Sequence, residues 1–282
     1  MFKPDLLAGK CALITGGGTG LGRAMAECFL RLGATVYICG RRTNVLEAAV
    51  AELERSAEGR IFQHTCDVRD ASATEVMLNS IWETAPVDIL VNNAAGNFLA
   101  KTEELSPRAF EAVIGIVLNG TLNMTLGCGR RWLAANRPGT VLNIVTTYAT
   151  SGSGSGYVVP SAIAKAGVMA LTTSLAVEWG PRGIRLNGIA PGPVPTEGAF
   201  SRLIPSRDLE KMALKRVPLR RFGTPAELAN LAAFLVSDGC TYINGEIVVM
   251  DGGEWLQGAG EFNWAGQVLS DADWEAMKPG KK

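Results

Sequence analysis

The sequence predicts a single doubly wound parallel α/β sheet of about seven strands with helices on both faces. Short β-branched or apolar runs alternate along it with longer stretches of helical period, the pattern of repeated βαβ units. A glycine-rich turn, Thr15 to Gly22, separates the first apolar run from the first helical stretch. The length of 282 residues suits one α/β domain with a sizeable core, so residues 1–282 are read as one domain.

Strands are expected near residues 10–15, 35–39, 60–66, 88–93, 139–147, 184–190 and 246–251. Helices are expected over 20–32, 43–57, 71–85, 106–135, 160–180 and 224–237. Right-handed crossovers with one reversal of winding give the strand order 3-2-1-4-5-6-7 and a ligand crevice at the carboxyl edge, a Rossmann-like arrangement. Ser151 to Gly156 alternates serine and glycine and reads as a connector after the fifth strand. The Pro/Gly-rich stretch 191–206 is expected to form a substrate lid, and the tail 254–282, with Trp255, Trp264 and Trp274, a strap over apolar surface.

Hydrophobic residues make up 47% of the chain and charged residues 19%, with 27 basic side chains against 27 acidic ones. That balance argues for a soluble globular protein and against a nucleic-acid binder. No uninterrupted apolar run reaches the length of a membrane span, and the N-terminal residues lack an apolar leader. The chain ends Lys-Pro-Gly-Lys-Lys, unlike a Ser-Lys-Leu peroxisomal address, so the cytoplasm is the expected compartment. Cys11, Cys28, Cys39, Cys66, Cys128 and Cys240 show no metal-ligand spacing and read as reduced packing residues; no metal is expected.

In Thr15-Gly16-Gly17-Gly18-Thr19-Gly20-Leu21-Gly22, the glycines let the backbone turn sharply and approach a pyrophosphate at the helix N-terminus. The spacing is Gly-x-x-x-Gly-x-Gly, not the Gly-x-Gly-x-x-Gly of many dinucleotide folds, and it resembles that of short-chain dehydrogenases/reductases. The second strand ends in Gly40-Arg41-Arg42, where an NAD enzyme would carry a carboxylate for the ribose hydroxyls. A guanidinium at Arg41 suits a 2′-phosphate, so NADP(H) is the expected cofactor. By the same resemblance Asp67 would lie near the adenine amino group, and Asn93, in Asn92-Asn93-Ala94-Ala95-Gly96, at the cofactor.

Short-chain reductases normally carry Tyr-x-x-x-Lys, but four residues before Lys165 stands Ser161. The phenol that usually donates to a carbonyl is therefore missing from its place. His64 is the only histidine and sits in an expected strand, which disfavours histidine acid/base chemistry. The glycine turn, Asn92 to Phe98, Tyr148, Val158 to Gly167, Pro191-Gly192-Pro193, Gly198 to Arg202, Asp251 to Glu254 and Gly260 to Asn263 together resemble the NADPH-dependent 2,4-dienoyl-CoA reductases over nearly the whole chain.

That resemblance implies roles. Tyr148 and Asn97 would hydrogen-bond the thioester oxygen of an acyl-CoA, and Lys165 would bind the nicotinamide ribose with Ser161 beside it. Arg69, Phe98, Ser106 and Arg202 match substrate-contacting positions, with Arg69 and Arg202 expected on coenzyme A phosphates, while Pro191, Gly192, Pro193 and Val194 match a stretch over the cofactor. Two donors at the thioester oxygen would stabilise the dienolate formed by hydride addition, and a proton from water would give a 3-enoyl-CoA. The Tyr148–Ser161 segment is about two residues longer than the family pattern, which leaves Tyr157, eight residues before Lys165, as a rival donor. The alternatives are therefore a carbonyl or single-enoyl reductase using Tyr157, or an NADP-binding protein without turnover. The apolar helices 106–135 and 160–180 resemble those that build family tetramers, so a homo-oligomer is expected.

Overall fold

The computed structural model describes residues 2–57, 60–150, 154–196, 206–259, 263, 265 and 269–277. Among these, seven strands form one parallel sheet: β1 (Cys11–Thr15), β2 (Thr35–Gly40), β3 (Ile61–Thr65), β4 (Ile89–Asn92), β5 (Gly139–Ile144), β6 (Ile184–Pro191) and β7 (Ile247–Met250). Their order is β3-β2-β1-β4-β5-β6-β7, as expected from the alternation of elements. Winding reverses between β1 and β4, and that point opens the crevice at the strands' carboxyl ends.

Side chains alternate across the sheet and so build two cores. On one face Ala12, Ile14, Val36, Ile38 and Val91 pack against α1 (Gly20–Arg31), α2 (Thr43–Ala57) and a later helix (Pro225–Val236). On the other, Leu13, Tyr37, Leu90, Val141 and Leu186 pack against α3 (Ala71–Thr84), a helix at Gly120–Ala134 and a helix at Val159–Trp179. Trp132, fully buried, anchors the second core and donates from its indole N–H to the carbonyl of Val87 at 2.6 Å.

The expected helix 106–135 is three pieces: α4 (Pro107–Ile114), a π-helical turn (Gly115–Asn119) and α5 (Gly120–Ala134). A hydrophobic stripe of helical period runs through all three, which is why the sequence shows one helix. The strand expected to reach residue 147 ends at Ile144, whose carbonyl accepts from the Lys165 side chain, and Thr147–Ala149 forms a 3₁₀ turn. After α6 (Val159–Trp179) comes a helix that its charged composition concealed, α7 (Arg207–Arg216), which buries no side chain. α8 (Pro225–Val236) opens with a capping box between Thr224 and Glu227, and α9 (Glu254–Ala259) and α10 (Asp271–Ala276) lie in the tail.

The stretches Pro107–Ala134 and Val159–Arg182 are long and apolar enough to cross a membrane, yet about half of each is buried inside the fold. The buried half of each serves the core. Replacing Trp132 by alanine removes the largest fully buried side chain of that core, and about 3–5 kcal/mol of stability is expected to go with it. Denaturant midpoints compared with those of Trp132→Phe, which keeps most of the volume, would check this.

Candidate active site

One cleft of about 1410 Å³ runs along the carboxyl edge and is lined by residues following all seven strands. At its centre the end of β1 is clasped to the end of β4. The buried Thr15 hydroxyl accepts from the N–H groups of Asn93 (3.0 Å) and Ala94 (2.9 Å), and the Asn93 amide donates to the carbonyl of Thr15 at 2.9 Å. Gly16 lies at φ +65° with a would-be Cβ 3.1 Å from Ala94 Cα, and at Gly22 a Cβ would stand 2.4 Å from the Gly16 carbonyl oxygen. Side chains at either place would force the clasp apart.

Gly16, Gly18, Thr19, Gly20 and Leu21 face the cleft, whereas Gly17 and Gly22 pack inward on Ile38 and on Gly16. The first turn of α1 has neither a side-chain cap from Thr19 nor an acidic residue. By contrast α3, α4, α7, α8 and α10 are capped by Asp70, Ser106, Ser206, Thr224 and Ser270. Free N–H groups at a helix N-terminus, beside a backbone too close-packed for side chains, fit the pyrophosphate of a dinucleotide. Arg41 is exposed and lines the β2 end of the cleft near Asp67.

Asp67 also lines the cleft, and its carboxyl lies below its ordinary range chiefly because it accepts from the Arg69 side chain. Arg69 Nε contacts both carboxylate oxygens at 3.0 Å, so its guanidinium is directed at Asp67 and is not among the cleft-lining side chains. Ser106 is the N-cap of α4, its hydroxyl accepting from Ala109 N–H at 3.2 Å, and Phe98 packs against the small core of Val113, Val117 and Ala164. Neither lines the cleft. Arg202 lies outside the described residues, as does most of the expected lid, but Pro191, Gly192, Pro193 and Val194 do line the cleft.

Four side chains meet at the middle of the cleft. Asn97 accepts from Phe98 N–H through its amide oxygen at 2.9 Å, which turns its NH₂ toward the Tyr148 hydroxyl, 3.0 Å away. The Tyr148 oxygen lies 3.0 Å from the buried Ser161 hydroxyl. One turn along α6, Lys165 is buried and donates to the Ile144 carbonyl. Burial lowers its pKa to about 8. Tyr157 stands at φ +66°, 64% exposed on the cleft rim, its carbonyl accepting from Ala100 N–H at 3.0 Å.

The sequence reading missed Thr196, which lines the cleft against Gly20, as well as Arg216, Glu254 and Trp255 at the β6–β7 side. His64 is off the cleft beside Tyr37, and burial lowers its pKa.

A family model described as enoyl-(acyl carrier protein) reductase matches residues 16–254. A Bacillus subtilis protein named probable 2,4-dienoyl-CoA reductase [(2E)-enoyl-CoA-producing] is 45% identical over 88% of this chain and 97% of its own. A Caenorhabditis elegans protein named probable 2,4-dienoyl-CoA reductase 3 [(3E)-enoyl-CoA-producing] is 44% identical over 90% of this chain and 83% of its own. The crystal structure of a short chain dehydrogenase from Bacillus anthracis superposes with a TM-score of 0.79 at 43% identity, covering 87% of this chain and 96% of that one.

Lys165 makes a pH prediction. Its folded pKa of about 8 lies below the ordinary 10.5, so between these values the unfolded chain holds a proton that the folded chain has released. Its contribution to stability therefore rises with pH across that window and is flat below it, with a slope of at most about 1.4 kcal/mol per pH unit. Denaturant titrations from neutral to alkaline pH should show this slope in the native chain relative to Lys165→Met.

Proposed function

Since the chain belongs to the short-chain dehydrogenase/reductase family, we propose that this oxidoreductase is an NADPH-dependent 2,4-dienoyl-CoA reductase. The observation that carries the reading is the Asn97–Tyr148–Ser161 chain of hydrogen bonds beside Lys165. It supplies a phenol to the cleft although serine occupies the position four residues before that lysine. Bound in the cleft, the cofactor supplies a hydride. Gly16 to Gly22 and the open turn of α1 would hold its pyrophosphate, Asp67 its adenine, Arg41 its 2′-phosphate and Lys165 its nicotinamide ribose.

The chain's own residues prepare an oxyanion site. Asn97 donates to the Tyr148 oxygen with one amide hydrogen and keeps a second for a thioester oxygen. Either hydroxyl of the Tyr148–Ser161 pair can donate to the other; in the arrangement where Ser161 donates, the Tyr148 hydroxyl hydrogen is free to point at the substrate. Two donors fixed before reaction stabilise the negative charge that reaches the thioester oxygen when the conjugated diene accepts hydride. Protonation from water then gives the 3-enoyl product, the regiochemistry named for the C. elegans relative.

The exposed apolar side chains Ile163 and Val177 on α6 and Leu122 on α5 support a homo-oligomer, proposed as a tetramer. Six free cysteines, several with thiol pKa values raised by burial, fit a reducing compartment, proposed as the cytoplasm.

Two measurements test the assignment. One charge-assisted hydrogen bond is worth roughly 1.5–3 kcal/mol, so Arg41→Ala is expected to weaken NADPH binding by on the order of ten- to a hundredfold and to leave NADH nearly unchanged. Equal dissociation constants for the two cofactors in the native protein would refute the NADP assignment. Tyr148→Phe removes one oxyanion donor and is expected to lower kcat on a dienoyl-CoA by about 10²–10³ with NADPH binding retained. Tyr157→Phe, which keeps the ring, should stay within about tenfold. The reverse pattern would move the donor to Tyr157 and the chemistry to a carbonyl or single-enoyl reductase, and NADPH binding without turnover of any thioester or ketone would leave a non-catalytic binder.

A further inference from the structure

We propose that the basic face of α7 docks the phosphate-bearing head of the substrate's coenzyme A, an inference that rests on the acyl-CoA reading above. Residues 207–221 carry six basic and two acidic side chains in a chain whose total charge is balanced. α7 is N-capped by Ser206 but buries no side chain, and Met212 is 63% exposed on it. It is therefore a formed helix that the core does not use.

Its position gives it a use. α7 ends at Arg216, which lines the cleft with its side chain 71% exposed and its Nε 3.5 Å from Glu254. The cleft thus has a cation at each end: Arg41 follows β2, and Arg216 precedes β7, on the opposite side of the β1–β4 reversal. A dinucleotide held by the β1 turn and Arg41 occupies the first end, leaving the second for the other phosphate-bearing reactant.

The charges along α7 are also poorly compensated. Lys211 reaches Asp208 only at 3.9 Å with both side chains in solvent, a pair worth little. Arg207 and Lys215 have no carboxylate partner among the described residues. Arg221 and Arg220 are exposed but already engaged, the first by its fork on Glu227 and the second by its bond to the Lys215 carbonyl, so they are not counted in the docking strip. Of the two arginines expected on coenzyme A phosphates, Arg69 is directed at Asp67 and Arg202 lies outside the described residues. Lys211, Lys215, Arg207 and Arg216 thus form a cationic strip continuous with the cleft, complementary to the 3′-phosphate and pyrophosphate of coenzyme A.

The test compares 2,4-hexadienoyl-CoA with the pantetheine thioester of the same acid, which lacks the nucleotide phosphates. In Lys211→Glu, Lys215→Glu double variant protein, KM for the CoA thioester is expected to rise by at least about tenfold at low salt, with kcat unchanged. The pantetheine thioester should change by less than about twofold, free coenzyme A should bind correspondingly more weakly by calorimetry, and Lys211→Arg, Lys215→Arg should behave like the native chain. Unchanged KM and unchanged binding of coenzyme A overturn the proposal, as does an equal rise for both thioesters. Loss of binding to phosphatidylglycerol vesicles with coenzyme A binding intact also overturns it and assigns the face to a membrane. If neither thioester turns over but the charge reversal still weakens coenzyme A binding, the docking surface stands and the reductase reading fails.

Discussion

The Thr15 hydroxyl holds the site together. It accepts from two consecutive N–H groups at the end of β4 and donates to the Val91 carbonyl at 3.4 Å. Asn93 answers by donating into the turn after β1. These two strands are neighbours at the point where winding reverses, so each sends its chain to opposite faces of the sheet. Without the clasp, the glycine turn and the Asn93–Asn97 loop would part, and the cofactor cradle and the oxyanion donors would lose their common frame. A buried backbone donor left without partner costs about 1–3 kcal/mol, so the arrangement has little freedom to relax.

A second polar chain lies deeper. The Asn92 amide donates to Asn143 and Thr125, and Asn143 donates to Thr172 on α6, all in the interior. Thr172 shares the buried face of α6 with Ser161 and Lys165. This tie from β4 through β5 to α6 fixes the helix at the distance where Lys165 reaches the Ile144 carbonyl and Ser161 meets Tyr148. The desolvation of Lys165 is therefore a product of the fold's interior bonding, set well away from the groups that meet substrate.

The sheet was legible in the sequence because its strands are buried on both faces and read as continuous apolar runs, and their order follows from crossover handedness alone. Tyr148 and Ser161 could be paired in advance only by family likeness, since the 3₁₀ turn that aims Tyr148 leaves no periodic trace. Ser106 and Arg69 also make local bonds that residue type does not reveal: the serine caps α4 and the arginine grips Asp67. α7 escaped notice because it is short and mostly charged, following directly on the Pro/Gly-rich stretch. The π-helical turn escaped because its one extra residue per turn is lost within a long apolar segment.

The first turn of α1, at the glycine turn that lines the cleft, has no side-chain cap, whereas α3, α4 and α8 are closed by Asp70, Ser106 and Thr224. An anion bound there would favour the folded chain over the unfolded one. A ligand present at a hundred times its dissociation constant adds about 2.7 kcal/mol to the native state, comparable to a good share of a domain's whole stability. Degradation in a cell acts mainly on opened chains, so under the proposed reading the empty protein is the short-lived one, and the dinucleotide pool becomes a determinant of the protein's abundance as well as of its turnover number.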